Sequence, residues 1–453
     1  MKQTYLLLMS ITFLSSCAAL PDSVAERSAV SVLSVPQGFQ FAQSENSHII
    51  AGLMELFDDQ VLSTLVGRSL DHNLDIQLAA KQLEEAGFNA DAELGKLLPK
   101  VTGNIATNRA QGAEGKPGGT YSPSLDVSWE VDIWGKVRDQ RGVSDVTALA
   151  QVENYRAARD SIAAQVMQGW FDVVTTKRLL DLEKSRLSNL RKSAENSRRN
   201  YRSGLGELND LAAVERDIAQ TQVTVTSSID NHNTAVRSLQ VLTGQYPSGY
   251  LTSDYKMPAL LSPPTAGVPA ALLTQRPDLR RAWQDVIAAD KSVQVAHKEM
   301  FPSLNLTGSF GTQSSDFSEL LSAPTIWSLA SQLSVPLFNA GQLKNNMNAA
   351  QSRAEQAWVR YLQTALLAFQ EVEQALDRET LFADQEKQQA NAVNYAEKTA
   401  DIFEDRYRNG FVSILEYLNA QNTVFDSKAQ LLDIRNQRLK NRVALALALG
   451  KGV

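Results

Sequence analysis

The chain contains its own second copy. Pro99, followed by Lys100-Val101-Thr102-Gly103, recurs as Pro302 followed by Ser303-Leu304-Asn305-Leu306. Gly135-Lys136 recurs as Gly341-Gln342, Tyr201-Arg202-Ser203-Gly204 as Tyr407-Arg408-Asn409-Gly410, and the run Leu239 to Gly244 as Leu445 to Gly450. The offset is 203 residues up to the prolines and 206 from Gly135 to Gly244, so the copies differ only by small insertions. Such a duplication predicts one pseudo-symmetric body of two interleaved halves, not the two or three unrelated domains that 453 residues allow.

Each copy changes period in the same order. From about Asp58 to Leu97 the apolar residues Val61, Leu62, Leu65, Val66, Leu70, Leu74 and Leu78 step by three and four, which predicts a helix that Pro99 stops. The period then becomes two. Val101, Gly103, Ile105 and Thr107 alternate with Thr102, Asn104, Ala106 and Asn108, and a Gly-rich turn over 111–122 follows. The return run sets Leu125, Val127, Trp129, Val131 and Ile133 against Asp126, Ser128, Glu130 and Asp132. In copy two, Leu304, Leu306, Gly308 and Phe310 alternate with polar or small residues. Its return run opposes Trp327, Leu329, Leu333, Val335 and Leu337 to Ser328, Ala330, Gln332 and Ser334. Each run is about ten residues, the length a tilted strand needs to cross a bilayer.

After each hairpin proline disappears, from Ser124 to Tyr246 and from Leu337 to Val453. Lys136 to Arg202 reads as one helix of about 100 Å at about 1.5 Å per residue, broken near Gly204 or Gly206 and followed by a second from about Leu208 to Leu242. Copy two repeats this from Gln342 to Arg408, with a turn at Gly410, then Ile414 to Leu449. Helices this long with ordinary apolar content must pack along one another, and Ala148, Tyr155, Ile162, Val166 and Phe171 fit such a seam. Residues 245–275 hold Pro247, Pro258, Pro263, Pro264 and Pro269 and read as a linker.

The N-terminus is of another kind. Lys2 precedes an apolar stretch from Tyr5 to Leu14, too short to span a bilayer, and Leu14-Ser15-Ser16 leads into Cys17, the one cysteine of the chain. This reads as an export signal over 1–16. One cysteine makes no disulfide framework. The stretch resembles the bacterial lipobox, in which that cysteine becomes the lipidated N-terminus. The absence of an aspartate at Ala18 favours the outer membrane. Residues 17–57 then form a strap or linker, 58–244 the first repeat with its hairpin at about 99–134, and 276–453 the second with its hairpin at about 302–338. No run of eighteen apolar residues occurs, so no helical span is expected.

Catalytic signatures are absent: the chain has no Gly-x-Ser-x-Gly, no Gly-x4-Gly-Lys and no His-Glu-x-x-His. His48, His72, His232 and His297 lie at no metal-ligand spacing, so neither an enzyme nor a metal site is expected. With 44 basic against 50 acidic residues and no basic run, nucleic acid is not an expected partner.

Several motifs together carry a resemblance over nearly the whole chain. They are Arg276-Pro277-Asp278-Leu279 with its echo Asn73-Leu74-Asp75-Ile76, then Phe301-Pro302-Ser303-Leu304, Pro336-Leu337-Phe338-Asn339-Ala340-Gly341, and Tyr407-x-x-Gly410 with Leu415-Glu416-Tyr417-Leu418-Asn419-Ala420-Gln421. They resemble the TolC-type outer-membrane efflux proteins, in the lipidated OprM/NodT-like branch. The resemblance implies an α+β membrane protein: a homotrimeric twelve-stranded outer-membrane β-barrel, four strands per protomer, continued by a long periplasmic α-helical coiled-coil tunnel. It implies a passive exit channel with no cofactor beyond the covalent lipid on Cys17. Its expected partners are outer-membrane lipid, a periplasmic adaptor (membrane fusion) protein and an inner-membrane transporter of RND type. A type I protein-secretion channel and a periplasmic coiled-coil structural lipoprotein are the alternatives. The polar strand faces should line the lumen, where Asp126, Glu130 and Asp132 in three copies place nine carboxylates that favour cations. At the periplasmic tips, Gly204 and Gly410 should make the helix turns and contact the adaptor. Glu416 matches a family acid that narrows the entrance, and its pKa should be raised by its symmetry mates. Asn419 stands where a second acid is often found, Tyr407 matches a residue that latches the tips, and Val412 replaces a latching arginine.

Overall fold

The computed structural model describes residues 20–42, 50, 52–111, 117–253 and 255–453. Cys17, with the whole signal segment, lies outside the described residues. The chain divides into two compact units, one holding 1–33, 81–153 and 280–364, the other 34–80, 154–279 and 365–453.

The duplication is visible in the element lengths. Copy one runs α1 (Gln60–His72), α2 (Leu74–Gly95), β1 (Lys100–Gln111), β2 (Pro117–Val131), α3 (Lys136–Arg202) and α4 (Leu208–Leu242). Copy two runs α5 (Pro269–Gln275), α6 (Pro277–Lys298), β3 (Ser303–Thr312), β4 (Thr325–Ser334), α7 (Gln342–Arg408) and α8 (Ile414–Ala448). Helices α3 and α7 are both 67 residues long, and α4 and α8 both 35. Among the described residues no helix is long and apolar enough to cross a membrane.

In the first unit the four strands form one antiparallel sheet in the order β1-β2-β3-β4, so the hairpins of the two copies are joined edge to edge through β2 and β3. Lys100 opposes Ser128 in the first hairpin and Ser303 opposes Ser334 in the second. The two registers are related by the sequence offsets of 203 and 206. The N-terminal strap is fixed here by Asp290, whose carboxylate accepts from the Ser23 hydroxyl (2.7 Å) and the Val24 amide (3.1 Å). Arg27 adds a two-pronged pair with Glu355 at 2.6 and 2.7 Å. That pair is open to solvent and contributes about 0.2–1 kcal/mol. Leu337, placed in the second hairpin from its alternation, lies beyond β4, which ends at Ser334.

The second unit has its core where α3 crosses α1 and α8: Met167, Trp170 and Phe171 pack with Leu62, Val66, Leu439, Val443 and Ala446. Asp59 caps α1 by accepting from the Val61 and Leu62 amides (2.9 and 3.1 Å), and its other oxygen accepts from the Trp170 indole at 3.2 Å.

The single helix expected from Asp58 to Leu97 is two helices, broken at Asn73, whose backbone is extended. The apolar period runs through the break, yet beyond it Leu74 and Leu78 are exposed and α2 buries Ile76 instead. The break itself is made by hydrogen bonds. Asn73 Oδ1 accepts from the Asp75 and Ile76 amides (2.9 and 3.2 Å), capping α2, while its Nδ2 donates to the Leu242 carbonyl (2.9 Å). Arg276 does the same work in copy two, donating to the Ala448 carbonyl at 3.1 Å while paired with Asp278 and Glu371, each at 2.7 Å. Leu242 and Ala448 are equivalent positions. The glycines that follow them explain why both copies end in Gly: a Cβ on Gly244 would lie 2.6 Å from the His72 carbonyl oxygen, and one on Gly450 3.2 Å from the carbonyl carbon of Gln275. The Arg-Pro-Asp-Leu motif and its Asn-Leu-Asp-Ile echo are thus helix breaks docked on a helix end.

Candidate functional site

Two places carry the residues singled out in the sequence, one in each unit. The first is the sheet. Directly opposed residues share a face, and the register brings most apolar positions to one side, with Ile326 and Ala330 among the exceptions: Val101, Val127, Gly308 and Leu329 form one row, and Leu125, Phe310 and Trp327 another with Gly103. A slip of one residue between any two strands would break this face. The face is bare. Ile105 is 80% exposed and Leu329 76%. The bases of the strands continue it with aromatic and aliphatic side chains. Trp134 packs on Phe301 (5.4 Å between ring centres) and donates its indole N–H to the Pro302 carbonyl at 2.7 Å, and Trp129 donates to the Leu97 carbonyl at 3.0 Å. An apolar band with amphipathic rings anchored at its border is the pattern of a strand surface that meets lipid. The outer edges of β1 and β4 have no strand partner among the described residues, and open edges cannot face hydrocarbon.

The opposite face is polar, with Thr102, Asn104, Ser124, Asp126, Ser128, Glu130, Asn305, Thr307, Ser309, Ser328 and Gln332. The three acids expected on it are not equivalent, which corrects the picture of three free carboxylates per chain. Glu130 is paired with Lys136 at 2.6 Å. Asp132 lies past β2 and caps α3, accepting from the Val137 and Arg138 amides (both 3.0 Å) and from the Arg138 guanidinium at 3.0 Å. Of the three, Asp126 has no cation partner among the described residues: it accepts from the Ser309 hydroxyl, the Asn104 amide and, at 3.0 Å, the Ser124 hydroxyl.

The second place is the tip where α3 meets α4 and α7 meets α8. Gly204 and Gly410 have φ of +71° and +74°, and both close a helix in the same way. The amide of Gly204 donates to Tyr201 O (3.1 Å) and that of Leu205 to Asn200 O (2.9 Å); Gly410 and Phe411 repeat this with Tyr407 (3.0 Å) and Arg406 (2.9 Å). Such turns need a left-handed residue, which glycine supplies without strain. The apolar residue after each glycine normally folds back on its helix. Here Leu205 is 82% and Phe411 79% exposed, so each hairpin ends in an unburied apolar side chain that the sequence reading passed over. Beneath them a small core holds Leu190, Ala194, Val214, Ile414, Tyr417 and Leu418.

Tyr407 stacks on Tyr417 with ring centres 5.6 Å apart and planes 6° from parallel. Asn419 is exposed on the next turn of α8. Glu416 closes a capping box: it accepts from the Ser413 amide and hydroxyl (both 2.8 Å), while its own amide donates to Ser413 Oγ at 3.2 Å. Within one chain, those bonds from Ser413 hold its carboxyl below the usual carboxylate range.

Ionic ties that sequence reasoning missed link the helices of this unit. Arg186 of α3 reaches Asn422 (3.1 Å) and Asp426 (3.2 Å) of α8. On α8, Arg442 and Arg438 converge on the buried Glu379 of α7 at 2.8 and 2.9 Å, and Arg438 and Arg435 continue to Glu386 at 2.8 and 2.9 Å. The signal existed, since Arg435, Arg438 and Arg442 fall on one helical face and Glu379 and Glu386 are one heptad apart.

No group of three or more His, Cys, Asp or Glu side chains among the described residues is placed to hold a metal ion. The known proteins agree with the duplicated architecture. The family described as outer membrane efflux protein matches twice, over residues 65–245 and 268–451. The chain is 27% identical to the cation efflux system protein CusC of Escherichia coli O6:H1 over 450 residues, 97% of this chain and 96% of that one. It is 28% identical to the antibiotic efflux pump outer membrane protein ArpC of Pseudomonas putida over 462 residues, 99% of this chain and 95% of ArpC. A crystal structure of CusC superimposes with a TM-score of 0.81 at 27% identity, covering 96% of this chain and all of that one (100%). The chain belongs to the outer membrane efflux protein family and is not an enzyme.

Proposed function

We propose that three copies of this chain form the exit duct of a tripartite efflux system, conducting small molecules or ions passively across the outer membrane. The observation that carries this reading is the sheet: four strands with one bare apolar face, one polar face and two open edges. Four strands cannot close a barrel, whereas three sheets joined edge to edge close one of twelve strands and leave no edge in lipid. The polar faces then line the lumen, and the long helices below extend it as a periplasmic tunnel. Lipid on Cys17 adds a second attachment, and the strap seated on Asp290 and Glu355 connects it to the helices. The names of the relatives, a cation efflux system and an antibiotic efflux pump, support small cargo, and the family resemblance implies an RND-type pump as its source.

At the entrance, Leu205 and Phe411 offer the apolar knobs, presented by the turns at Gly204 and Gly410, on which a periplasmic adaptor would seat. Glu416 and Asn419 would face the narrowing axis, with Tyr407 bracing Tyr417 behind them. With Asn419 where a second acid is often found, the acidic ring at this entrance rests on Glu416, which its bonds from Ser413 keep ionised. Planar-bilayer conductance of the purified lipoprotein, with its oligomeric mass measured in the same detergent, tests the reading. Discrete steps from a trimer support it, and a non-conducting monomer overturns it.

A further inference from the structure

The end of the sheet away from the helices carries a contact that the duct itself does not require. β1 and β2 pair as far out as Gln111 and Pro117, whereas the pairing of β3 with β4 stops at Thr312 and Thr325. The β3–β4 loop therefore starts beside the outer part of β2. Tyr121 and Ser314 exchange both backbone bonds there (2.8 and 3.1 Å), three residues beyond the pair of Ser124 with Gly311 and in the same register. The Ser315 carbonyl oxygen follows, 3.9 Å from where a Cβ on Gly119 would stand. Phe317 then sets its ring edge-on against Tyr121, with 5.7 Å between centres and 73° between planes.

The register decides which side of the sheet this is. β2 pairs with β1 without interruption from Pro117 to Ser128, so Tyr121 lies on the same face as Leu125 and Val127. That is the bare apolar face. The Phe317 ring is thus on the apolar side of the sheet and not over the polar one. Asp316 fixes the turn that carries it, accepting from the Ser318 amide at 2.9 Å and the Ser318 hydroxyl at 2.7 Å. Leu321 stands on the next turn, closed by the bond from the Ser322 amide to the Glu319 carbonyl at 3.0 Å. Leu321 is wholly exposed and Phe317 69% exposed.

The spacing fits a membrane. Ten residues separate Tyr121 from Val131, which is followed at the strand bases by the Trp134–Phe301 pair. Ten residues are about 34 Å along a strand. At a tilt of about 40° they cross about 26 Å of bilayer, against about 25 Å for the apolar band of a membrane barrel. An aromatic pair therefore stands at each border of the band, and half of the outer one comes from a loop.

We infer that, in the duct proposed above, the β3–β4 loop is a lipid contact. Phe317, braced on Tyr121, and Leu321 sit among the acyl chains of the outer leaflet, just below their headgroups. The occupant follows from continuity: the apolar strand face already meets lipid, and Tyr121 and Phe317 extend that face past the end of β3. Asp316 and Glu319, exposed on either side of Phe317, stay at the water border.

Nitroxide labels on single introduced cysteines test this in the trimer reconstituted into phospholipid vesicles, with collision rates read against oxygen and a water-soluble nickel complex. The native chain labelled alongside gives the background of Cys17. At Leu321→Cys oxygen collisions should exceed nickel collisions, as at Leu329→Cys on the apolar strand face, with the reverse at Ser328→Cys on the polar face. A nickel-dominated Leu321→Cys beside a lipid-facing Leu329→Cys overturns the loop contact and leaves the duct standing. A label at Leu321→Cys shielded from both probes has a protein cover and does the same. Nickel-dominated labels at both Leu321→Cys and Leu329→Cys overturn the loop contact and the duct together. Phe317→Ser should reverse the ratio at Leu321→Cys and leave both strand positions unchanged; an unaltered ratio overturns the bracing by Tyr121.

Discussion

Gly244 and Gly204 have nearly the same backbone, φ +66° and +71°, yet alanine should act very differently at the two positions. At Gly204 nothing lies within 4 Å of the point where an alanine methyl would stand. An L residue in the left-handed region costs about 1–2 kcal/mol, offset by about 0.4–1 kcal/mol from a stiffer unfolded chain, which leaves a loss of about 1 kcal/mol. At Gly244 the methyl would stand 2.6 Å from His72 O and 3.1 Å from both the carbonyl carbon and Cβ of that residue. The contact is against backbone, so the helix break at Asn73 must move. Overpacking of this kind adds about 1–3 kcal/mol, for a total of about 2–4 kcal/mol. The displacement should also break the bond from Asn73 Nδ2 to the Leu242 carbonyl. Guanidinium unfolding in detergent, followed by helix circular dichroism, compares Gly204→Ala with Gly244→Ala. Equal losses, within about 0.5 kcal/mol, would refute the argument that the helix break docks closely on the helix end.

Three further outcomes follow from the ionic contacts. Arg442→Ala leaves Glu379 buried with only Arg438 as partner and should cost about 3 kcal/mol, whereas Arg442→Met with Glu379→Leu should be nearly neutral, as thermal unfolding of both variants would show. Glu416 has a folded-state pKa below its unfolded value, so its contribution to the tip is complete above about pH 4.3 and is lost as pH falls through the lower folded value. Protection of the first-turn amides of α8 against hydrogen exchange, corrected for the intrinsic rate, should therefore fall only below the ordinary carboxylate range, and Glu416→Gln should abolish that dependence. In planar bilayers, Glu130→Gln with Lys136→Gln should leave the reversal potential unchanged, because the pair is already neutral, while Asp126→Lys should shift it toward anions.

Much of this architecture was legible because it rests on local rules. Alternation of period two predicted the strand faces that the register confirms. The long proline-free stretches located α3, α4 and α7 to the residue and α8 to within one. What failed was of two kinds. The break at Asn73 carries no interruption of the apolar period; Asn73 caps α2 locally, and its second bond goes to the Leu242 carbonyl, 169 residues away in sequence. The fate of the acids was closer at hand. Lys136 and Arg138 follow Glu130 and Asp132 by six residues each, and Ser413-x-x-Glu416 is a capping-box spacing. Alternation and family motifs mark these acids as lumen or entrance charges, while the nearby helix ends and cations claim them first.

The two copies show which requirements are strict. At the helix break, copy one uses a neutral Asn73 and copy two a paired Arg276, so what has to be supplied is a donor to the terminal carbonyl of the preceding long helix, not a charge. At that helix end both copies use glycine, because the neighbour is backbone and cannot yield. In the sheet, duplication necessarily joins one pair of hairpin edges and leaves another pair open. On the trimeric reading, the open edges of β1 and β4 are closed by neighbouring copies. The cost of the bare apolar face is then borne by lipid instead of a protein core.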